Sequence, residues 1–259
     1  MAKILSVASH KGGVGKSTSS LLIAMHFVSK GWRVLLIDND PQGNSSSTLL
    51  LNADGESVPL GATHTVDLYD PDLAEIEVTK TPLGIDLIPV ERNCERMRAV
   101  VYEADIDELV MRNNTRDLVA DYDLVIIDCA PSFSQSTTAA LAMSTHVITP
   151  VKLRSYAVDG AEGILMTISQ VRGLFNEQLQ FVGVFVNMMK SDSKSRRYLE
   201  ELEELREALG DLLLTNVIHE RKAIDTAVSE GRPLRSLGYA HQQAKEVERI
   251  MNEIEERIR

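Results

Sequence analysis

Nine consecutive residues constrain this chain more than anything else in it: His10-Lys11-Gly12-Gly13-Val14-Gly15-Lys16-Ser17-Thr18. Ile4 to Ala8 precede them and read as a buried strand; Ser19 to Lys30 follow and read as a helix. A glycine-rich turn between strand and helix lets successive backbone N–H groups converge on an anion. The start of the following helix adds a field that favours phosphate. In such a loop Gly12, Gly13, Val14, Gly15 and Thr18 line the phosphates, Lys16 reaches the β- and γ-phosphates, and the Ser17 hydroxyl ligates Mg²⁺. The competing reading is a chance glycine-rich loop, against which the order strand, loop, helix weighs heavily. One departure stands out: His10 sits where the strict pattern has glycine, with Lys11 beside it.

The remaining composition narrows the class. A chain of 259 residues can bury a large core, and the expectation is one α/β domain over 1–259. No apolar run approaches the roughly 20 residues that a bilayer crossing needs. A strand begins almost at once, so no signal peptide is expected and the location is read as cytoplasmic. Cys94 and Cys129 lack metal-ligand spacing and fit free thiols. The net charge of −11 argues against coating nucleic acid through bulk charge, although a local basic patch remains compatible with it.

Further strands follow the loop. Arg33 to Asp38 has the unbroken apolar middle of a parallel strand covered on both faces, and it ends in Asp38-Asn39-Asp40-Pro41-Gln42-Gly43-Asn44. Carboxylates at the carboxyl end of a strand lie where an open α/β sheet builds its site. Ser45 to Ser47 and 52–61 read as turn-rich, Thr65 to Leu68 as the start of a short helix, Ile85 to Val90 as a strand, and Glu95 to Val119 as one or two helices. Tyr122 to Asp128 is a third strand, and its terminal acid is placed to hold the Mg²⁺ water shell in a Walker B arrangement. Then come helix Ser136–Met143, strand His146–Val151, helix Val158–Asn176, strand Phe181–Asn187, helix Ser195–Leu209, strand Leu212–Val217, helix Glu220–Glu230 and helix Gln242–Ile258. This alternation predicts a doubly wound, mainly parallel β-sheet flanked by helices. The last helix carries Val247, Ile250, Ile254 and Ile258 on one line. Its polar side mixes Glu with Lys and Arg, which favours core packing over a membrane surface.

Lys11 to Ser17, then Asp38 to Asn44, then Asp128-Cys129-Ala130-Pro131 together resemble the ParA/Soj-type partition ATPases, which carry a deviant Walker A loop. Thr149-Pro150-Val151 and 157–163 add to the likeness, which covers essentially the whole chain. The Asp40-Pro41-Gln42-Gly43-Asn44 segment separates it from septum-site, MinD-like relatives, and the absence of a convincing cysteine pair separates it from the nitrogenase-iron branch.

The resemblance implies a Mg²⁺-dependent ATPase with low intrinsic turnover. It implies a homodimer with ATP sandwiched between subunits, non-specific duplex DNA binding in that state, and a ParB-like partner that stimulates hydrolysis. It thereby implies a nucleoid-associated protein that segregates or positions a plasmid, a chromosome or other cargo, without a membrane. On that resemblance Lys11 reaches into the partner's site, Lys16 acts in its own, and Asp40 positions the attacking water. Ser17, Asp38 and Asp128 serve the metal. Asp38 could instead be a strand-end cap, and Lys11 could merely steady the loop. Asn187, Ile218 and Glu220 match the adenine-contacting positions, against the alternative that they are ordinary strand-end residues. Lys194, Arg196 and Arg197, then Arg221 and Lys222, then Arg232 and Arg235 are the DNA candidates, with solubilising charge as the alternative. The rival functions are a MinD-like membrane-associated positioning ATPase and a P-loop ATPase of metabolism or cofactor assembly.

Overall fold

The computed structural model describes residues 2–51, 56–103, 105–132, 134–153, 157–190 and 196–259; for 157–160 and 196–197 it describes backbone only. Its centre is a seven-stranded sheet: β1 (Lys3–Val7), β2 (Val34–Asn39), β3 (Thr79–Lys80), β4 (Ile85–Ile88), β5 (Leu124–Cys129), β6 (His146–Val151) and β7 (Gln180–Val186). The spatial order is β3-β4-β2-β5-β1-β6-β7. Only β3 runs antiparallel to its neighbour. The doubly wound, mainly parallel architecture read from the apolar runs is therefore the one observed.

The helices cover both faces. On one side α1 (Lys16–Ser29), α8 (Lys222–Ser229) and α9 (His241–Ile258) pack on Leu5, Leu36, Leu87 and Ile126. On the other, α3 (Glu95–Tyr102), α4 (Val110–Val119), α5 (Gln135–Met143) and α6 (Ala157–Leu174) cover Leu35, Ile37, Val125 and Ile127. Alternate residues of one strand thus enter opposite cores, because side chains in a strand alternate in direction. The apolar line of α9, Val247, Ile250, Ile254 and Ile258, lies in the first core. The helix α7 (Arg196–Leu209) buries Leu202, Leu205 and Leu209 in a third cluster at the β7 edge. Leu199, assigned to the same stripe from sequence, is 56% exposed.

Three local expectations need correction. Ser45 to Ser47 lie in a short helix, α2 (Asn44–Leu49), entered through Gly43 at φ 62°. Thr79–Lys80 adds an edge strand that was not expected. Leu212 to Val217 does not form a strand. Leu214 and Ile218 donate to the carbonyls of Val184 and Val186, as an eighth strand would. Between them, however, the Thr215 and Asn216 N–H groups turn away to the Glu253 carboxylate on α9, at 2.7 and 3.1 Å. A side-chain acceptor has captured the donors that a ladder needs.

The α1–α9 contact is tied by one carboxylate. Glu255 is nearly buried and accepts from Lys30, from Arg259 at 2.6 Å and from His26 at 3.3 Å. Burial opposes its charge, but the hydrogen bonds prevail and hold it down at about 2, from an ordinary 4.5. The folded chain therefore binds fewer protons than the unfolded chain between those values. This contribution is complete above about pH 4.5 and is lost as pH falls toward about 2. Urea midpoints measured down this window should fall less steeply for Glu255→Gln than for the parent; parallel slopes would contradict the assignment.

Candidate functional site

Three parallel strands deliver the site. β1, β5 and β2 are adjacent, and Asp38 and Asp128 are register partners across β2 and β5. The loop after β1 turns through Gly13 (φ 71°) and Gly15 (φ 85°) into α1. An added Cβ at Gly15 would lie 2.4 Å from Asn187 Nδ2, so both space and backbone angle demand glycine there. Asn187 is buried, and its amide donates to the Val14 carbonyl at 2.8 Å, bracing the loop from the end of β7. α1 starts at Lys16 with no side-chain cap and no acidic residue in its first turn. Its first N–H groups are thus left for an anion.

The two lysines of the loop differ sharply. Lys16 is 6% exposed and Lys11 is exposed. Burial pushes the Lys16 ammonium down, while Asp128 and Asp40 hold it up. Gly12 and Gly13 are exposed, Val14 is buried, and Ser17 and Thr18 are half-buried at the helix start. His10 is half-buried against α6, where an added Cβ at Gly163 would approach its Nε2 to 3.0 Å.

Beneath the loop lie the acids. Asp128 is fully buried and accepts from Ser45 Oγ at 2.7 Å and from Ser20 Oγ at 3.2 Å, with the Ser17 hydroxyl close enough to favour its charged form. Asp38, equally buried, accepts from the Ser46 N–H and hydroxyl, both at 2.7 Å, and from the Asp40 N–H at 3.3 Å. Burial raises both carboxyls, and proximity to Asp128 raises Asp38 further. Two neighbouring carboxylates in a dry site favour holding a proton between them unless a cation arrives. Asp40 is nearly buried and caps the turn by accepting from Gln42 N–H at 2.9 Å; burial raises it, and Lys16 partly counters this.

A cleft of about 510 Å³ opens over these groups, lined by Gly13, Lys16, Ser17, Asp40, Arg92 and Asp225 among others. The donor set fits a magnesium nucleotide: an uncapped helix start for phosphate, a buried lysine, and the Ser17 hydroxyl near a buried carboxylate. Among the described residues no three His, Cys, Asp or Glu side chains converge as a cage. Mg²⁺ ordinarily binds through few protein oxygens, keeping waters and substrate phosphates.

A family model described as an AAA domain matches residues 2–181. The chain belongs to the ParA/Soj/MinD family of P-loop ATPases. It is 30% identical over 261 residues to the chromosome-partitioning ATPase Soj of Thermus thermophilus, across 98% of this chain and 96% of that one. Cobyrinic acid a,c-diamide synthase from Mycobacterium smegmatis, solved with an ATP analogue and magnesium, is 26% identical. That match covers 89% of this chain and 92% of that chain, with a TM-score of 0.72. An ATP-bound McdA variant from Cyanothece is 22% identical and shares the fold, with a TM-score of 0.81 across 98% and 96% of the two chains. The P-loop and the family make this chain an ATP-hydrolysing enzyme whose cofactors are ATP and Mg²⁺.

The remaining sequence candidates are scattered. Ile218 is buried and bonded to β7 through its backbone, and Glu220 is exposed beyond it. Lys194 lies outside the described residues, as do the side chains of Arg196 and Arg197 at the start of α7. Arg221 is half-buried, and Lys222 is exposed at the start of α8. Arg232 pairs with Glu230 at 3.2 Å, and Arg235 pairs with Glu248, so each brings its own countercharge. Sequence reasoning missed Ser20, Ser45, Ser46 and Arg92. The serine run after Gly43 was the available signal, since hydroxyls beside a strand-end acid can satisfy it.

Lys16→Ala should abolish the rise in melting temperature that Mg-ATP produces; a preserved rise would remove the loop from nucleotide binding. Ser46→Ala strips a hydroxyl from buried Asp38 and an acceptor from the Val90 N–H, 3.0 Å away. It should cost about 1–3 kcal/mol in urea unfolding.

Proposed function

We propose that this chain is an ATP-gated partition ATPase: Mg-ATP pairs two copies, the pair binds duplex DNA without sequence preference, and a ParB-like partner triggers hydrolysis and release. The observation that carries the reading is the contrast on one loop between buried Lys16 and exposed Lys11. A lysine turned inward serves the phosphates of its own subunit. The exposed lysine on the same loop is the one we assign to the phosphates of a facing copy, where it would offset charge developing on the transferred phosphoryl group. The likeness to a chromosome-partitioning ATPase over nearly the whole chain supports the same reading.

Within each site the residues divide the work. Gly12, Gly13, Val14 and Gly15 shape the phosphate cradle, and Thr18 extends it into the first turn of α1. Ser17 would hold Mg²⁺ with Asp128 behind it, and Asp38, held by Ser46, would support Asp128 across the strand pair. Asp40 orients the attacking water from the cleft wall opposite the loop. Bound Mg²⁺ supplies charge neutralisation on the phosphates. For the base we assign Asn187, whose amide braces the loop at Val14, together with Ile218 and Glu220, which bond to the end of β7 and to Met189 after it. For DNA we assign Lys194, Arg196, Arg197, Arg221 and Lys222, with Arg232 and Arg235 exchanging their Glu230 and Glu248 partners for phosphate, all forming one track only when two copies meet. A net charge of −11 makes that gathering necessary, because phosphate binding needs cations on a shared face. The membrane-associated alternative finds less support, since the apolar line of α9 is taken up in the core.

Duplex DNA binding should be strong with ATP and weak with ADP or no nucleotide, at one stated salt concentration. Asp40→Ala should retain ATP-dependent DNA binding while hydrolysis falls at least about tenfold. DNA binding indifferent to nucleotide would overturn the proposal.

A further inference from the structure

Arg92 is a cation of the cleft that neither the motifs nor the roles above account for. It follows β4, the strand beside β2. Four neighbouring strands therefore present their carboxyl ends in a row. β1 leads into the phosphate loop, β5 ends at Asp128–Cys129, β2 leads into Asp40, and β4 leads into Arg92. Ligands of open α/β sheets gather along this edge. Arg92 is the one arginine among the described residues lining the cleft that holds Lys16, Ser17 and Asp40.

Its neighbours make the contrast. Arg96 pairs with Asp67 at 3.1 Å, and Arg98 donates to Asn93 at 3.4 Å. The Arg92 side chain has no ion pair or hydrogen bond among the described residues. Its backbone, however, is held firmly. The Asn93 N–H donates to the Pro41 carbonyl at 2.9 Å, and the Val90 N–H donates to Ser46 Oγ at 3.0 Å. Gly43 lies so close that an added Cβ would be 3.2 Å from Arg92 Cα. Arg92 is thus carried by the same backbone unit as Asp40, and an exposed, uncommitted guanidinium is held at the wall where Asp40 stands.

That wall needs a cation. Asp38, Asp40 and Asp128 all lie on the β2–β5 side, and the terminal phosphate would arrive there with its own negative charge. Lys16 approaches from the opposite, loop side. A guanidinium presents paired N–H donors that match two phosphate oxygens, which a lysine cannot do in fixed geometry.

We infer that Arg92 binds the terminal phosphate of ATP and is the residue by which this site tells ATP from ADP. The inference rests on the phosphate-loop reading and extends it to a residue outside the loop. Calorimetric titration of the full chain with Mg²⁺ and either a non-hydrolysable ATP analogue or ADP tests it. Arg92→Ala should weaken the analogue at least about tenfold and leave ADP within about twofold. Arg92→Lys should recover part of the loss, since charge returns without the fork. The side chain is exposed, so melting without nucleotide should match the parent. Equal weakening of both ligands, or of neither, overturns the inference and leaves the loop assignment standing. A parent chain, or a Lys16→Ala chain, that behaves contrary to the loop assignment brings down both.

Discussion

The structure depends on burying two carboxylates side by side. Asp38 and Asp128 end neighbouring strands in register, with no water-exposed surface. Such a pair is costly unless each oxygen is satisfied and a cation stands near. The chain meets the first requirement with serines: Ser20 from α1, Ser45 and Ser46 from α2. Lys16 meets part of the second, and the magnesium that the site accepts meets the rest. The pair is thus poised for ligand rather than for stability.

That arrangement explains why α2 exists. Six residues make a weak helix by themselves, since nucleation is unfavourable and most helical stability comes from packing. Here the helix is held because Ser45 and Ser46 must reach the two acids, and because the Ser46 hydroxyl also accepts from Val90. One side chain therefore connects β2, α2 and the loop after β4. The cleft wall carrying Asp40 and Arg92 is a single hydrogen-bonded unit.

Much of this was legible beforehand. The phosphate loop, the strand-end acids Asp38 and Asp128, and the parallel order of strands follow from local pattern: glycine spacing, apolar runs closed by carboxylates, and crossover lengths. What misled was local pattern where distant groups compete for the backbone. Leu212 to Val217 has the apolar content of a strand, but Glu253, far along the chain on α9, takes its N–H groups. Ser45 to Ser47 has turn composition, but Asp38 recruits it into a helix. Arg92 carried no motif at all, because its place beside Asp40 comes from the pairing of β4 with β2.

The sequence by itself determined the chemistry: a glycine turn that gathers N–H groups, two lysines upon it, and acids at the ends of apolar strands. These are short-range facts, since a few consecutive residues suffice to build an anion cradle or to end a strand in a carboxylate. Tertiary structure alone decided which lysine faces inward, which hydroxyls satisfy which acid, and which arginine enters the cleft. Those outcomes hang on the spatial order β4-β2-β5-β1, in which residues far apart in the chain become neighbours only through strand pairing.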